Sequence, residues 1–419
     1  MNNEEKDISK EKKVDENISF TAFEYHLKLR RHFKNRKKTW EWFSENNNKK
    51  KQIEEFKTDL LKNTYRLDKD SHQELYNVID EVKYKLNIDA EITLYQEHNS
   101  VQLNAGISII EKEAHIVFSG NVISLLNIDE MKALIAHELS HYLFYKIDNE
   151  EFEITQRIIL ALANDISSEP SIIETARIFQ LYMELFCDAG ALQVCGDYKT
   201  VIQMLVKLKT SLQEVNADSY LVQAKEIVKA DSKATNRETH PESYIRSLAL
   251  FYAKEEPKNA LSKIEKLIEG GLDLNSLDIF KQNKLQKITK NLLYLITKPS
   301  WMNTSAILNL CKQYFEDFYR EKEILYTDIS DEIENANVSI KNYFSYILLD
   351  FAKVDSDMEG IALGHSFEIA ELLNIQKEFQ KIVRKELKLT VREYKIMQEK
   401  VMIELQHIKE SKEDSIYND

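Results

Sequence analysis

The chain has 419 residues, a net charge of −13 and a hydrophobic fraction of 43%. That length exceeds one compact core and predicts about two or three domains. Only 8 Gly and 4 Pro, against abundant Lys, Glu, Leu and Ile, predict a mostly helical chain, and the acidic balance excludes non-specific nucleic-acid binding by the chain as a whole.

Residues 1–18 are charged and polar and read as a disordered tail; they contain no apolar segment of the secretory type. No run of about 18 apolar residues occurs, so no integral membrane segment is expected. The three cysteines, Cys187, Cys195 and Cys311, are too few and too spread to make a disulfide framework. Reduced thiols and a cytoplasmic location are therefore expected.

From 19 to 62 the pattern is helical and charged. Lys28, Arg30, Arg31, Lys34, Arg36, Lys37 and Lys38 make a basic face interleaved with Phe33, Trp40, Trp42 and Phe43. Such a face suits peripheral contact with an acidic lipid surface or RNA. The preferred reading is a solvated helix whose aromatic residues pack on the next domain.

Residues 71–86 form an amphipathic helix by periodicity, and 91–95 alternate as a strand. Residues 108–111 and 115–119 read as two further short strands, followed by a short helix over 121–126. Asp129 is the expected N-cap of a helix running to about Ile147, and 172–194 reads as a long helix. Beyond Pro257 the chain is helical almost throughout, punctuated by Gly270-Gly271 and Pro299.

The helix after Asp129 carries His137-Glu138-Leu139-Ser140-His141. Positions i and i+4 share a helix face, so both imidazoles point the same way. Two neutral imidazoles so placed can hold one Zn²⁺, with Glu138 as general base. A catalytic zinc commonly takes a third protein ligand and keeps a fourth position for water. Glu184, 43 residues after His141, can return on a second helix as that ligand. Asp188, one turn further on, can take a ring N–H of a ligand histidine and fix its tautomer. Leu181, Leu185, Ala189 and Leu192 make the surroundings of this pair apolar.

H-E-x-x-H followed by E-x-x-x-D resembles the zinc metallopeptidases typified by HtpX and the CAAX prenyl protease, metallopeptidase family forty-eight, of gluzincin type. The resemblance extends to Asn104-Ala105, to His115-Ile116-Val117-Phe118-Ser119-Gly120 with Val122, Ile123 and Leu125, and to Thr239-His240-Pro241 with Arg246; it covers roughly residues 63–252. It implies that His137, His141 and Glu184 hold one zinc ion, and that Glu138 is the general base and later proton donor. Asp188 would support a ligand, His240 would face the oxyanion, and Arg246 would orient its segment or pair with a carboxylate. Asn104 and Ala105 would lie on the edge strand along which an extended peptide binds. Cys187 stands where the family often has a small residue, and reads as a packed thiol.

The expected fold is mainly α, with an α+β, zincin-like peptidase core. The core has a small β-sheet and the H-E-x-x-H helix, flanked by N-terminal helices and a C-terminal helical bundle. The expected organisation is a tail over 1–18, a helical segment over 19–62, the peptidase domain over 63–255, a helical accessory region over 256–337 and a C-terminal helical domain over 338–419. Within the last, residues 343–387 resemble the TerB-type helical domain, with Asp350 and Asp355 near its acidic positions. The expected function is a zinc-dependent endopeptidase acting on protein or peptide substrates, in intracellular quality control or stress-related processing. Two alternatives stand beside it. One is a catalytically silent scaffold on the same fold, and the other a zinc aminopeptidase, which would need an acidic amine-binding motif upstream that the chain does not display.

Overall fold

The computed structural model describes residues 21–45, 50–230, 241–319 and 327–416; the tail predicted over 1–18 lies outside them. The chain divides into two compact units, Met1–Ser168 with Thr175–Gly270, and Glu169–Glu174 with Gly271–Asp419. The fold is mainly α with one small mixed sheet.

The first unit opens with three helices, α1 (Glu24–Lys34), α2 (Lys37–Glu45) and α3 (Lys50–Asn63), then a short strand β1 (Thr64–Arg66) and α4 (Gln73–Leu86). Strands β2 (Glu91–Glu97), β3 (Asn104–Ile110) and β4 (Glu113–Ser119) follow, then α5 (Val122–Leu125), α6 (Ile128–Lys146) and α7 (Glu151–Ala163). The long α8 (Pro170–Cys195) leads into α9 (Tyr198–Thr210), α10 (Ala217–Ala230), α11 (Ser243–Glu255) and α12 (Pro257–Ile268).

The sheet order is β1-β2-β4-β3, so β3 is an edge strand. β2 and β4 run parallel, and the other two pairs antiparallel. Alternation puts Ile92 and Leu94 of β2 with Ala114, Ile116 and Phe118 of β4 in the core. On α4, Leu75, Val78, Ile79, Val82 and Leu86 recur at helical spacing and are buried in the same core, with α4 packed on α6. Each such fully buried aliphatic side chain contributes roughly 1.5–3 kcal/mol relative to exposure. Gly120 ends β4 with φ of +67°, and a Cβ there would meet the Gln102 carbonyl oxygen at 2.8 Å. Only glycine makes this turn without strain, and the turn delivers the chain to α5 and α6.

β3 begins earlier than its alternation indicates. Asn104, Ala105 and Gly106 have low strand propensity, but antiparallel pairing with Ser119, Phe118 and Val117 holds them extended. The basic face of α1 is partly consumed within the unit. Arg30 pairs with Asp148 and lies 3.3 Å from Glu151, and Lys34 reaches Glu151 at 2.5 Å. Tyr25, Leu29 and Phe33 of the same helix are buried.

The second unit comprises α13 (Ile279–Ile296), α14 (Ser305–Tyr314), α15 (Thr327–Glu334), α16 (Val338–Lys353), α17 (Glu359–Leu372), α18 (Gln376–Glu386) and α19 (Val391–Ile416). The sequence reading splits this stretch at 338, but residues from Leu272 to Val401 share one apolar core. It also places α12 with the accessory region, whereas α12 belongs to the first unit and the division falls at Gly270-Gly271. Phe344, Phe351 and Phe379 are completely enclosed. At Gly364 a Cβ would sit 2.7 Å from the Val401 carbonyl oxygen, so α17 and α19 approach closely there. Among the described residues, no helix is long and apolar enough to cross a membrane.

Candidate metal centre

Helix α6 is started by Asn127, not Asp129. The Asn127 side chain accepts from the backbone N–H groups of Asp129 and Glu130, and the Glu130 carboxylate accepts the Asn127 N–H in return. This reciprocal box satisfies donors that a helix start otherwise leaves unpaired. Asp129 sits in the first turn, where a negative charge still favours the helix dipole. Glu130 is in addition paired with Lys207 of α9 at 2.8 Å, and both are buried.

Nearly all of α6 from Met131 to Ser140 is buried, and His137 and His141 lie one turn apart in it with ring centroids 5.2 Å apart. Glu184 of α8 fits against both. Its Oε2 is 3.4 Å from His137 Nε2, and its Oε1 is 3.7 Å from His141 Nε2. Four donors arranged tetrahedrally around an ion at 2.0–2.2 Å are separated from one another by about 3.4 Å. The donor set and its spacing therefore fit a divalent metal of the zinc type. Glu138, between the histidines, is 6% exposed.

One turn along α8, Asp188 Oδ1 lies 3.0 Å from His137 Nδ1. With the Nδ1 proton donated to this carboxylate, His137 Nε2 is left to offer a lone pair. Asp188 is itself clamped by Arg246 of α11. Arg246 Nε donates to Oδ2 at 2.7 Å and Nη2 to Oδ1 at 2.6 Å, while Nη1 is 3.7 Å from Glu184. Burial of Asp188 favours its neutral form, but Arg246 and His137 outweigh burial and hold its carboxyl below the usual range. Burial likewise opposes a charge on His137. The hydrogen bonds to Asp188 and Glu184 prevail and raise it to about 9 in the metal-free chain.

Cys187, between the two carboxylates in sequence, is fully buried. Its sulfur and one ring nitrogen from each of His137 and His141 all lie within 4.8 Å of one another. Two donors thus compete for the histidine pair: Glu184, with one carboxylate oxygen to each ring at 3.4 and 3.7 Å, and Cys187, whose sulfur lies within 4.8 Å of a nitrogen of each. The sequence reading treats Cys187 as packing alone, because no pattern rule assigns it to this cluster.

Asn104 and Ala105 lie at the start of edge strand β3, Asn104 exposed and Ala105 half-buried, and α6 runs alongside that strand. His240 and the preceding Thr239 lie outside the described residues. The structure therefore brings together His137, His141, Glu184, Asp188 and Arg246 from three helices.

A mainly helical fold carrying a small mixed sheet thus holds paired imidazoles and a facing carboxylate. Residues 66–252 match the family model described as peptidase family M48, and this segment belongs to that family. Over 173 residues the chain is 30% identical to the plastoglobule-localized metallopeptidase 48, chloroplastic, of Arabidopsis thaliana, a stretch covering 39% of this chain and 49% of that protein. The chain thus spans about half the length of this curated relative. No solved structure matches it.

Proposed function

We propose that this chain is a zinc-dependent endopeptidase with His137, His141 and Glu184 as the metal ligands. The observation that carries this is the approach of both Glu184 oxygens to the two Nε2 atoms, at 3.4 and 3.7 Å. Two imidazoles and a carboxylate suit zinc by ligand type, and they leave one coordination position for water. When bound, zinc polarises the scissile carbonyl and lowers the pKa of its water from 15.7 towards roughly 7.

Glu138, adjacent to a ligand histidine, takes the proton of the attacking water and hands it to the leaving amine. Asp188 holds the His137 ring in the tautomer that binds metal, and Arg246 keeps Asp188 ionised. His240 is assigned by resemblance to the oxyanion. An extended peptide pairs alongside β3 near Asn104 and Ala105, since an edge strand offers unpaired backbone groups to such a partner. The proposed setting is the cytoplasm, in quality control or stress-related processing. The setting rests on the three free thiols and the role on the likeness to HtpX-type enzymes. The TerB-like assignment of 343–387 rests on its sequence pattern.

The test is digestion of unfolded casein by the full chain, with and without a zinc chelator, beside Glu138→Gln. Internal fragments that vanish with the chelator and in Glu138→Gln are expected, with metal content unchanged in the variant. Chelator-insensitive cleavage, or a Glu138→Gln rate equal to wild type, overturns the mechanism. Release of single terminal residues favours an aminopeptidase, and no cleavage at all a silent scaffold.

A further inference from the structure

The peptidase mechanism uses three protein donors, yet a fourth side chain able to ligate metal lies among them. Cys187 follows Glu184 by three residues on α8, so the two project from neighbouring positions on one helix face. Its sulfur and one ring nitrogen from each of His137 and His141 lie within 4.8 Å of one another. Cys187 has no solvent exposure, so its partners come from within this packed site.

We propose that Cys187 is a fourth protein ligand, closing the resting metal site until substrate displaces it. The proposal rests on the metal reading above. Zinc–sulfur bonds of about 2.3 Å and zinc–nitrogen bonds of about 2.0–2.1 Å place sulfur and nitrogen roughly 3.5 Å apart. Ligation would require the sulfur to close the remaining distance by a side-chain shift of Cys187. Sites with four protein ligands are closed, whereas catalytic sites keep one position open, so the sulfur would occupy the place of the hydrolytic water. On closing, the S–H bond breaks, its proton passes to solvent, a sulfur–metal bond forms and one water departs. Opening is the reverse, with no oxidant or reductant involved. A borderline-soft ion accepts thiolate readily, which opposes the upward push that burial and the neighbouring carboxylates give the Cys187 thiol.

The test loads the full-length chain with Co²⁺ and records its absorption spectrum alongside metal stoichiometry. A thiolate-to-cobalt charge-transfer band is expected in wild type, in Cys195→Ala and in Cys311→Ala. It should disappear in Cys187→Ala, while one Co²⁺ per chain is retained throughout. Zinc-loaded Cys187→Ala should also cleave casein faster than wild type, because its water position stands open. Stoichiometric cobalt without the band in wild type overturns the proposal but leaves the three-ligand site standing, and this result does not depend on the variant folding. A band surviving in Cys187→Ala, or a cleavage rate equal to or below wild type, also overturns it. Failure of wild type to bind cobalt removes the metal reading and this inference together.

Discussion

The two units bury different things. In the first, His26, His115, Glu130, His137, Glu138, Glu184, Asp188 and Lys207 are all buried. In the second, the buried acidic, basic or imidazole side chains among the described residues are Asp278, Lys281 and His365, set around a core of aliphatic and aromatic side chains. Burying charge is expensive unless each group is paired, and the first unit pairs its groups in layers. Arg246 holds Asp188, Asp188 holds His137, and His137 faces Glu184. The core of the second unit is chiefly packed aliphatic and aromatic side chains. Where a chain maintains costly buried charge, function is the place to look.

Substitutions in each unit can break this contrast. Phe351→Ala in the second unit should destabilise by about 3–5 kcal/mol through lost packing and a cavity, while metal affinity stays at the wild-type value. Denaturant unfolding with a parallel metal titration measures both, and a loss of affinity would show that the second unit shapes the site. Arg246→Met should also lose about 3–5 kcal/mol, because the Asp188 charge stays buried without its bidentate partner, but here metal binding should weaken as well. Unchanged affinity in that variant would detach Arg246 from the metal centre.

A smaller effect is expected from His26. Burial is the main cause that lowers its pKa, from 6.5 to about 4, against the hydrogen bond of its Nε2 with the Phe179 carbonyl. The unfolded chain takes up this proton first as pH falls. Stability from this group is therefore intact above pH 6.5, declines between 6.5 and 4, and is level below 4, a loss of about 3 kcal/mol. His26→Phe should remove that portion of the acid slope; an identical slope in wild type and variant would contradict it. Asp188→Asn should weaken metal binding about 10–100-fold and also lower stability, because the buried Arg246 loses its charged partner. The smallest effect is Asn127→Ala, about 1 kcal/mol from the lost cap of α6, read from the shift in denaturation midpoint.

What was legible in sequence follows the range of each interaction. The spacing of His137 to His141 and of Glu184 to Asp188 is local and helical, so it announced both faces of the centre. The alternation over 91–95 and 115–119 marked β2 and β4 for the same reason. Asn127 was within reach too, since Asn followed three residues later by Glu130 is a capping-box pattern. Other features depend on partners distant in sequence. The Glu130–Lys207 pair joins residues 77 apart and leaves no local mark. The three-residue β1 is fixed by pairing with β2 at Thr64↔Glu97, and the start of β3 by pairing with β4. The basic face of α1 could not be assigned without knowing that Asp148 and Glu151 would meet Arg30 and Lys34.

The central claim is that two imidazoles of α6 and the Glu184 carboxylate of α8 bind one divalent ion. Isothermal titration of metal-stripped full chain with Zn²⁺, beside His141→Ala and Glu184→Ala, tests it most directly. One ion per wild-type chain is expected, with binding weakened at least about 100-fold in each variant. Wild-type affinity retained in Glu184→Ala, or no stoichiometric binding by wild type, would contradict it.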